Sequence, residues 1–277
     1  MNDIEKIKLL YNDPSLIQQY QNKYEKEFPQ QYDIQGLPLL FDKSARNILI
    51  NFSGGADSTL LFYFLCNLIK DNNFKTKIYP VTYLRFADTK PWLEKVAVNV
   101  YNYFKLSFPD IVQEQLWGFV PTEFETVKIA KLENPKLDVE FPSNEMHCDV
   151  LCTLRYQEYI MKKYKIDYVY SGTTTNPSDF IEGEPAFRNI SIDINNIHWA
   201  LQGPAINPFA FVKKNWVLAQ YQNLYLNDLL SQTRSCSADT KLLGAAYLNN
   251  QLIPDECGMC FFCKEKQWAK ENMKEFL

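Results

Sequence analysis

An isoleucine-rich run that breaks into glycines and hydroxyl residues, then resumes as an apolar helical pattern, constrains this chain more than any other feature. Arg46-Asn47-Ile48-Leu49-Ile50-Asn51-Phe52 is short and apolar and reads as a buried strand. Ser53-Gly54-Gly55-Ala56-Asp57-Ser58-Thr59 follows directly, and beyond it Leu60, Leu61, Phe64, Leu65 and Leu68 recur at helical spacing. Two glycines let the backbone turn sharply and come close to a ligand with no Cβ in the way. Amides at the start of the following helix, with its dipole behind them, attract an anion. Ser53, Ser58 and Thr59 add hydroxyl donors to the same place. The pattern is that of a phosphate cradle; the bland alternative is an ordinary strand–turn–helix connection.

The rest of the chain supplies a fold around this loop. Lys77–Leu84 reads as a second strand, with Pro80 placing it toward an edge or a strand start. Pro91 sits near a helix start, followed by Leu93, Val96, Ala97, Val100, Tyr101 and Phe104 at a 3.6-residue period. Residues 107–145 carry Pro109, Pro121, Pro135 and Pro142 and yield no regular element. A helix resumes near His147, with Val150, Leu154, Met161 and Tyr164 on one face, and Asp167–Tyr170 is a short strand ending in a polar loop from Ser171 to Asn176. Alternating strands and helices predict an α/β fold with a mainly parallel sheet covered by helices. Ligands of such sheets sit beyond the carboxyl ends of the strands, so the 53–59 loop, the segment after Leu84 and the loop after Tyr170 are expected to surround one site.

Composition narrows the class. With 277 residues, 46% of them hydrophobic, the chain can build one large domain with appendages. A net charge of −4 argues against a broadly basic nucleic-acid surface. No apolar run reaches membrane-spanning length, and MNDIEKIKLL is too polar for a signal peptide; a soluble cytoplasmic protein is the simplest expectation. Residues 1–45 read as a polar, helical N-terminal extension, with Ile4, Ile7, Leu10 and Tyr11 on one face.

Seven cysteines are clustered unevenly, as metal ligands are and disulfide frameworks are not. Cys257-x2-Cys260-x2-Cys263, with Cys236 upstream, supplies four thiols, and Gly258 permits the tight bend of a knuckle. Four soft ligands at two-residue spacing suit tetrahedral, structural Zn²⁺ with no open coordination position; an iron–sulfur site or unligated cysteines are the alternatives. Cys66 falls in the helix after the loop and reads as core. Cys148 and Cys152 lie one helical turn apart beside His147, where packing and a second metal site are the two readings.

The kind of phosphate loop follows from what is missing: no lysine completes a G-x-x-x-x-G-K-[ST] pattern, and no G-x-G-x-x-G is present. Ser53-Gly54-Gly55-Ala56-Asp57-Ser58 instead resembles the loop of the PP-loop ATP pyrophosphatases, whose fold is adenine nucleotide alpha hydrolase-like. Joined to the C-terminal Cys-Gly-x-Cys-x-x-Cys, it resembles the 7-cyano-7-deazaguanine synthase family. Asn207-Pro208-Phe209 followed by Lys214, and Thr233-Arg234-Ser235-Cys236, are similar to that family's segments, as is the loop at Gly172 with Asp179 downstream. The likeness covers roughly residues 46–85 and 165–268. It departs at Tyr83-Leu84-Arg85-Phe86-Ala87, at Asp179-Phe180-Ile181-Glu182-Gly183, and at Lys266, where the family has other residues. The spacer between Cys236 and Cys257 is longer than the family's, and Leu242–Tyr247 reads as its own helix.

The resemblance implies an ATP-binding domain over residues 46–230 and a zinc-binding region over 231–277. It implies an ATP-dependent ligase that adenylates a carboxylate, 7-carboxy-7-deazaguanine in the family, for attack by ammonia, releasing pyrophosphate. Ser53, Gly54, Gly55, Asp57, Ser58, Thr59, Tyr83 and Gly172 would bind ATP with Mg²⁺, Thr173 and Asp179 would face the substrate, and Lys214 would neutralise phosphate charge. Asp57 is either an organiser of the loop and magnesium or a helix cap. Lys214 is either catalytic or a solvated surface lysine, with Lys213 its neighbour. The alternatives are a divergent relative acting on another, macromolecule-linked acceptor, as in antiphage defence operons where relatives occur; a sulfur transferase using Cys148 and Cys152; and a non-catalytic nucleotide-binding subunit. The partners implied are a small carboxylate and ammonia, with a protein docking on residues 1–45 and a homodimer left open.

Overall fold

The structure is a computed structural model and describes residues 2–85, 90, 92–120, 146–177, 188–237 and 256–277. Its centre is a six-stranded sheet in the order β5-β4-β3-β6-β8-β7, made of β3 (Asn47–Asn51), β4 (Lys77–Arg85), β5 (Leu116–Val120), β6 (Tyr168–Tyr170), β7 (Leu201–Gln202) and β8 (Ala205–Ile206). Every pairing is parallel except β7 with β8. The mainly parallel α/β sheet read from the sequence is the one that forms.

Helices cover both faces because the strands are apolar on both. Ile48 and Ile50 point into the larger core cluster, and Leu49 between them points into the smaller one, as the two-residue strand period requires. On the larger side lie α3 (Ala56–Asp71), α4 (Leu93–Ser107), α6 (Lys214–Asn223) and α7 (Asn227–Gln232), with Phe62 of α3 stacked 4.2 Å from Phe104 of α4. On the other side α5 (Met146–Tyr164) packs Ile160 against Leu49, Val81 and Val169. Leu154, expected on the buried face of this helix, is 47% exposed.

Three local expectations change. First, the N-terminal segment is helical only through α1 (Asp3–Tyr11) and α2 (Pro14–Tyr24); β1 (Gln30–Ile34) and β2 (Leu37–Phe41) then form an antiparallel hairpin. Its turn is Gln35-Gly36, both at positive φ (53° and 87°), the geometry a two-residue hairpin needs. β2 is buried throughout, and Tyr170 donates its hydroxyl to Leu40 C=O at 3.0 Å, so the segment shares the main core. Second, β5 lies within the stretch that gave no element. Third, β4 is flanked on both sides despite Pro80. Lys77 N–H bonds Arg46 C=O and Ile78 N–H bonds Ile111 C=O, so by alternation the Pro80 nitrogen faces the β5 side. There the ladder is interrupted between the Ile78–Val112 bridge and the Val81–Leu116 start of β5. No donor is missed, and the proline sits in an interior strand at no cost in hydrogen bonds. Leu242–Tyr247 lies outside the described residues. Among those described, no helix is long and apolar enough to cross a membrane.

Candidate active site

The loop after β3 is fixed from below and open above. Phe52 N–H bonds Val81 C=O (2.8 Å), and Thr82 Oγ1 donates to Phe52 C=O (2.6 Å), so the end of the strand is pinned to β4. Gly54 then turns at φ +68°, and a Cβ there would stand 2.9 Å from Val96 Cγ1 and 3.1 Å from Ala97 N. Only glycine fits both the backbone and the space. Gly55 is the N-cap of α3 and, having no side chain, supplies no cap of its own to the first helical amides. Ser53 Oγ accepts from Gly55 N–H (3.3 Å) and lies 3.2 Å from Ser58 Oγ. Asp57 does not cap the helix; it stands in the first turn and pairs elsewhere.

These residues line a cleft of about 410 Å³ at the carboxyl ends of β3, β4 and β6. Ser53, Gly55, Asp57, Ser58, Tyr83, Gly172, Thr173 and Lys214, all expected at a site from the sequence, meet there. Gly54 and Thr59 do not line it: Gly54 packs down on α4, and Thr59 is fully buried, its N–H closing the first helical turn on Gly55 C=O. Asp179 lies outside the described residues. Gly172 is held to glycine by proximity, since a Cβ would come 2.9 Å from Asp57 C=O oxygen. Tyr83 reaches the cleft from β4 packed over Gly118, and burial pushes its phenol pKa well up.

Of the two adjacent lysines, Lys214 is the one that lines this cleft. Lys214, the first residue of α6, is 1% exposed, and its Nζ lies 2.5 Å from Asp57 Oδ2. Lys213 precedes the helix and opens on a different cleft. Asp57 Oδ1 is buried with no hydrogen-bond partner, an orphaned acceptor that suits a hydrated Mg²⁺.

Three groups lining this cleft, Arg188, Arg234 and Ser235, and Glu265 paired with the first of them, were given no site role in the sequence. Arg188 is buried, donates from Nε to Thr174 C=O and from Nη2 to Thr174 Oγ1 (both 2.8 Å), and forms an ion pair with Glu265. Glu265, 1% exposed on α8 (Phe261–Glu271), has its carboxyl pKa raised by burial, against the pull of Lys214 and Arg188. Arg234 lies over the Trp92 ring at 4.3 Å, and Ser235 Oγ accepts from Ala56 N–H at 3.4 Å. Arg234 and Ser235 adjoin Cys236 in sequence, which was a usable signal; Arg188 and Glu265 carry none.

Cys236, Cys257, Cys260 and Cys263 converge, with all four sulfurs within 4.8 Å of one another. The amides of Met259 and Cys260 point at Cys257 Sγ (3.4 and 3.3 Å), and that of Ser237 at Cys260 Sγ (3.4 Å). Gly258 provides the bend at φ +71°. Zn–S bonds of about 2.3 Å put tetrahedral sulfurs about 3.8 Å apart, and Cys257 Sγ and Cys263 Sγ stand 3.9 Å apart. The four cysteines could hold a metal, and this spacing matches that of one tetrahedral ion. Cys66 is buried core, while Cys148 and Cys152 fall in the part of α5 whose side chains are outside the described set.

No family model matches the chain, and no curated protein does. Among solved structures, the U34-tRNA thiolase NcsA from Methanococcus maripaludis with its [4Fe-4S] cluster is 12% identical with a TM-score of 0.43, the match covering 94% of this chain and 78% of that one. A 4-thiouridine synthetase–RNA complex with bound ATP is 11% identical with a TM-score of 0.41, covering 83% and 51%. NAD+ synthetase from Burkholderia pseudomallei is 10% identical with a TM-score of 0.37, covering 99% and 91%.

Proposed function

We propose that this chain is an ATP-dependent adenylating enzyme of the PP-loop type, which activates a carboxylate for attack by ammonia. One observation carries the reading: the start of α3, its hydroxyl-rich loop and the buried Lys214–Asp57 pair all face one cleft at the carboxyl end of a parallel sheet. On this reading Ser53, Ser58 and the first-turn amides of Asp57 and Ser58 grip the terminal phosphates of ATP, as free helix N-termini do. Lys214 is desolvated and already oriented, so it meets the charge that grows on pyrophosphate without having to reorganise. Asp57 keeps Lys214 in place and offers its unpartnered Oδ1 to a water of the ion. Mg²⁺, when bound, supplies Lewis acidity to the phosphate oxygens. The acceptor oxygen attacks the α-phosphate, pyrophosphate departs, and ammonia then displaces AMP. Zn²⁺ on the four cysteines is a structural ion in this scheme.

The sequence resemblance favours 7-carboxy-7-deazaguanine as acceptor. A second reading, a relative acting on a different acceptor, has its own support: the loop from Gly172 to Asn176 is pinned by Arg188, which follows a segment unlike the family's. Incubation with ATP, Mg²⁺, ammonium and 7-carboxy-7-deazaguanine tests the first reading. Acceptor-dependent AMP and pyrophosphate support it, ADP and phosphate overturn it, and turnover only with a protein or nucleic-acid acceptor favours the second.

A further inference from the structure

Sequence neighbours of the cysteine ligands form part of the cleft wall. On one side Cys236 is preceded by Arg234 and Ser235. Arg234 N–H donates to Gly54 C=O at 3.1 Å, and Ser235 Oγ accepts from Ala56 N–H at 3.4 Å, so both touch the phosphate loop itself. Ser235 N–H is held in turn by Glu256 Oε1 (3.2 Å), beside Cys257, and Glu256 Oε2 takes the Lys266 ammonium at 2.9 Å. On the other side α8 starts from Cys260 as its N-cap. It carries Phe262 into the cleft lining and sets Glu265, two residues past Cys263, on the Arg188 guanidinium. Arg188 then fixes Thr174 in the loop after β6. A buried ion pair of this kind adds little net stability over apolar packing. It does give the guanidinium a fixed direction.

A metal on the four sulfurs would cross-link these two walls, tying the 234–236 segment to the start of α8. Without it, the described links between the sulfur-bearing segments are the Ser235–Glu256–Lys266 bonds and weak N–H···S contacts such as Cys257 N–H to Cys236 Sγ at 3.4 Å. Ordering done once by the metal need not be done again when a nucleotide binds, which is a source of positive cooperativity. We infer that Ser235 and Glu265 are positioning residues through which a metal on Cys236, Cys257, Cys260 and Cys263 orders the nucleotide cleft, so that metal and nucleotide bind cooperatively. The inference rests on the nucleotide reading of that cleft.

Linkage makes the test two-sided, because each ligand must raise the affinity of the other by the same factor. The full chain is titrated with Zn²⁺ against a chromophoric chelator, with and without the non-hydrolysable analogue AMP-CPP in excess Mg²⁺. Calorimetry on zinc-loaded and zinc-stripped protein measures analogue binding separately. The expected zinc affinity is at least about five-fold higher with the analogue, and the analogue affinity rises by the same factor on zinc loading. Glu265→Gln and Ser235→Ala keep all four thiols; both should retain the analogue-free zinc affinity and lose most of the coupling factor, which a merely structural role would not bring about. An unchanged zinc affinity, with an analogue that calorimetry shows to be bound, overturns the inference and leaves the nucleotide reading standing. An analogue that does not bind the zinc-loaded protein overturns both. A full coupling factor in both variants removes the positioning roles from Ser235 and Glu265.

Discussion

Replacing Lys214 with methionine separates what the buried pair does for stability from what it does for chemistry. The ammonium is 1% exposed and the Asp57 side chain 23% exposed, so Lys214→Met strands a mostly buried carboxylate. Breaking one partner of a buried pair costs about 3–5 kcal/mol, against about 0–1 kcal/mol for an exposed one. With a urea slope of about 3 kcal/mol/M the lower figure is a midpoint shift on the order of 1 M. Losing a preoriented charge at a developing anion costs about 10²–10³-fold in turnover. The double variant Asp57→Asn/Lys214→Met removes both charges, and pairs removed whole are close to neutral. It should therefore recover most of the stability and none of the turnover. Urea unfolding and pyrophosphate release read the two effects, with Lys213→Met as the control expected to turn over normally. If Lys214→Met turns over at the wild-type rate, Lys214 does not stabilise departing charge. If single and double variants are equally unstable, the pair is not the coupled unit described.

Other expectations are more local. Gly54→Ala should destabilise by about 1–3 kcal/mol in urea unfolding and weaken nucleotide binding, because a Cβ at φ +68° meets Val96 and the α4 backbone; a neutral effect would mean the loop can relax. Elemental analysis should find about one zinc per chain, lost in Cys257→Ser or Cys263→Ser, and a zinc-free, well-folded preparation would sink the assignment. Asp13 caps α2, and the Ser15 hydroxyl, then the Ser15 and Leu16 amides, lower its pKa below the ordinary 3.8. Its stabilisation is thus present above that value and lost as pH falls through the lowered one. Asp13→Ala should be less stable at neutral pH, with the gap to wild type closing in acid; a gap independent of pH would refute the charge argument.

The parts legible in the sequence were those whose cause is local. The β3–loop–α3 unit shows itself because Ile48, Leu49 and Ile50 are buried on both faces of a parallel sheet and a glycine must follow where the chain turns against α4. The cysteines show themselves by spacing, since a single ion needs ligands in successive turns. The β1–β2 hairpin was hidden by Pro38 and by a polar first strand, and β5 by its short length between prolines. Pro80 misled because its neighbour's gap is a property of the partner segment, not of β4. Arg188 and Glu265 are 77 residues apart in sequence and become a pair only after α8 packs on the cleft, so no local pattern marks them.

The most direct measurement is a crystal structure of the zinc-loaded chain with AMP-CPP and Mg²⁺. The expected map places the terminal phosphates within hydrogen-bond distance of Ser53 Oγ and the amides at the start of α3, facing Lys214 Nζ while it stays paired with Asp57. Phosphates bound elsewhere, or a cleft left empty at saturating analogue, would contradict the claim that this loop and Lys214 form one adenylating site.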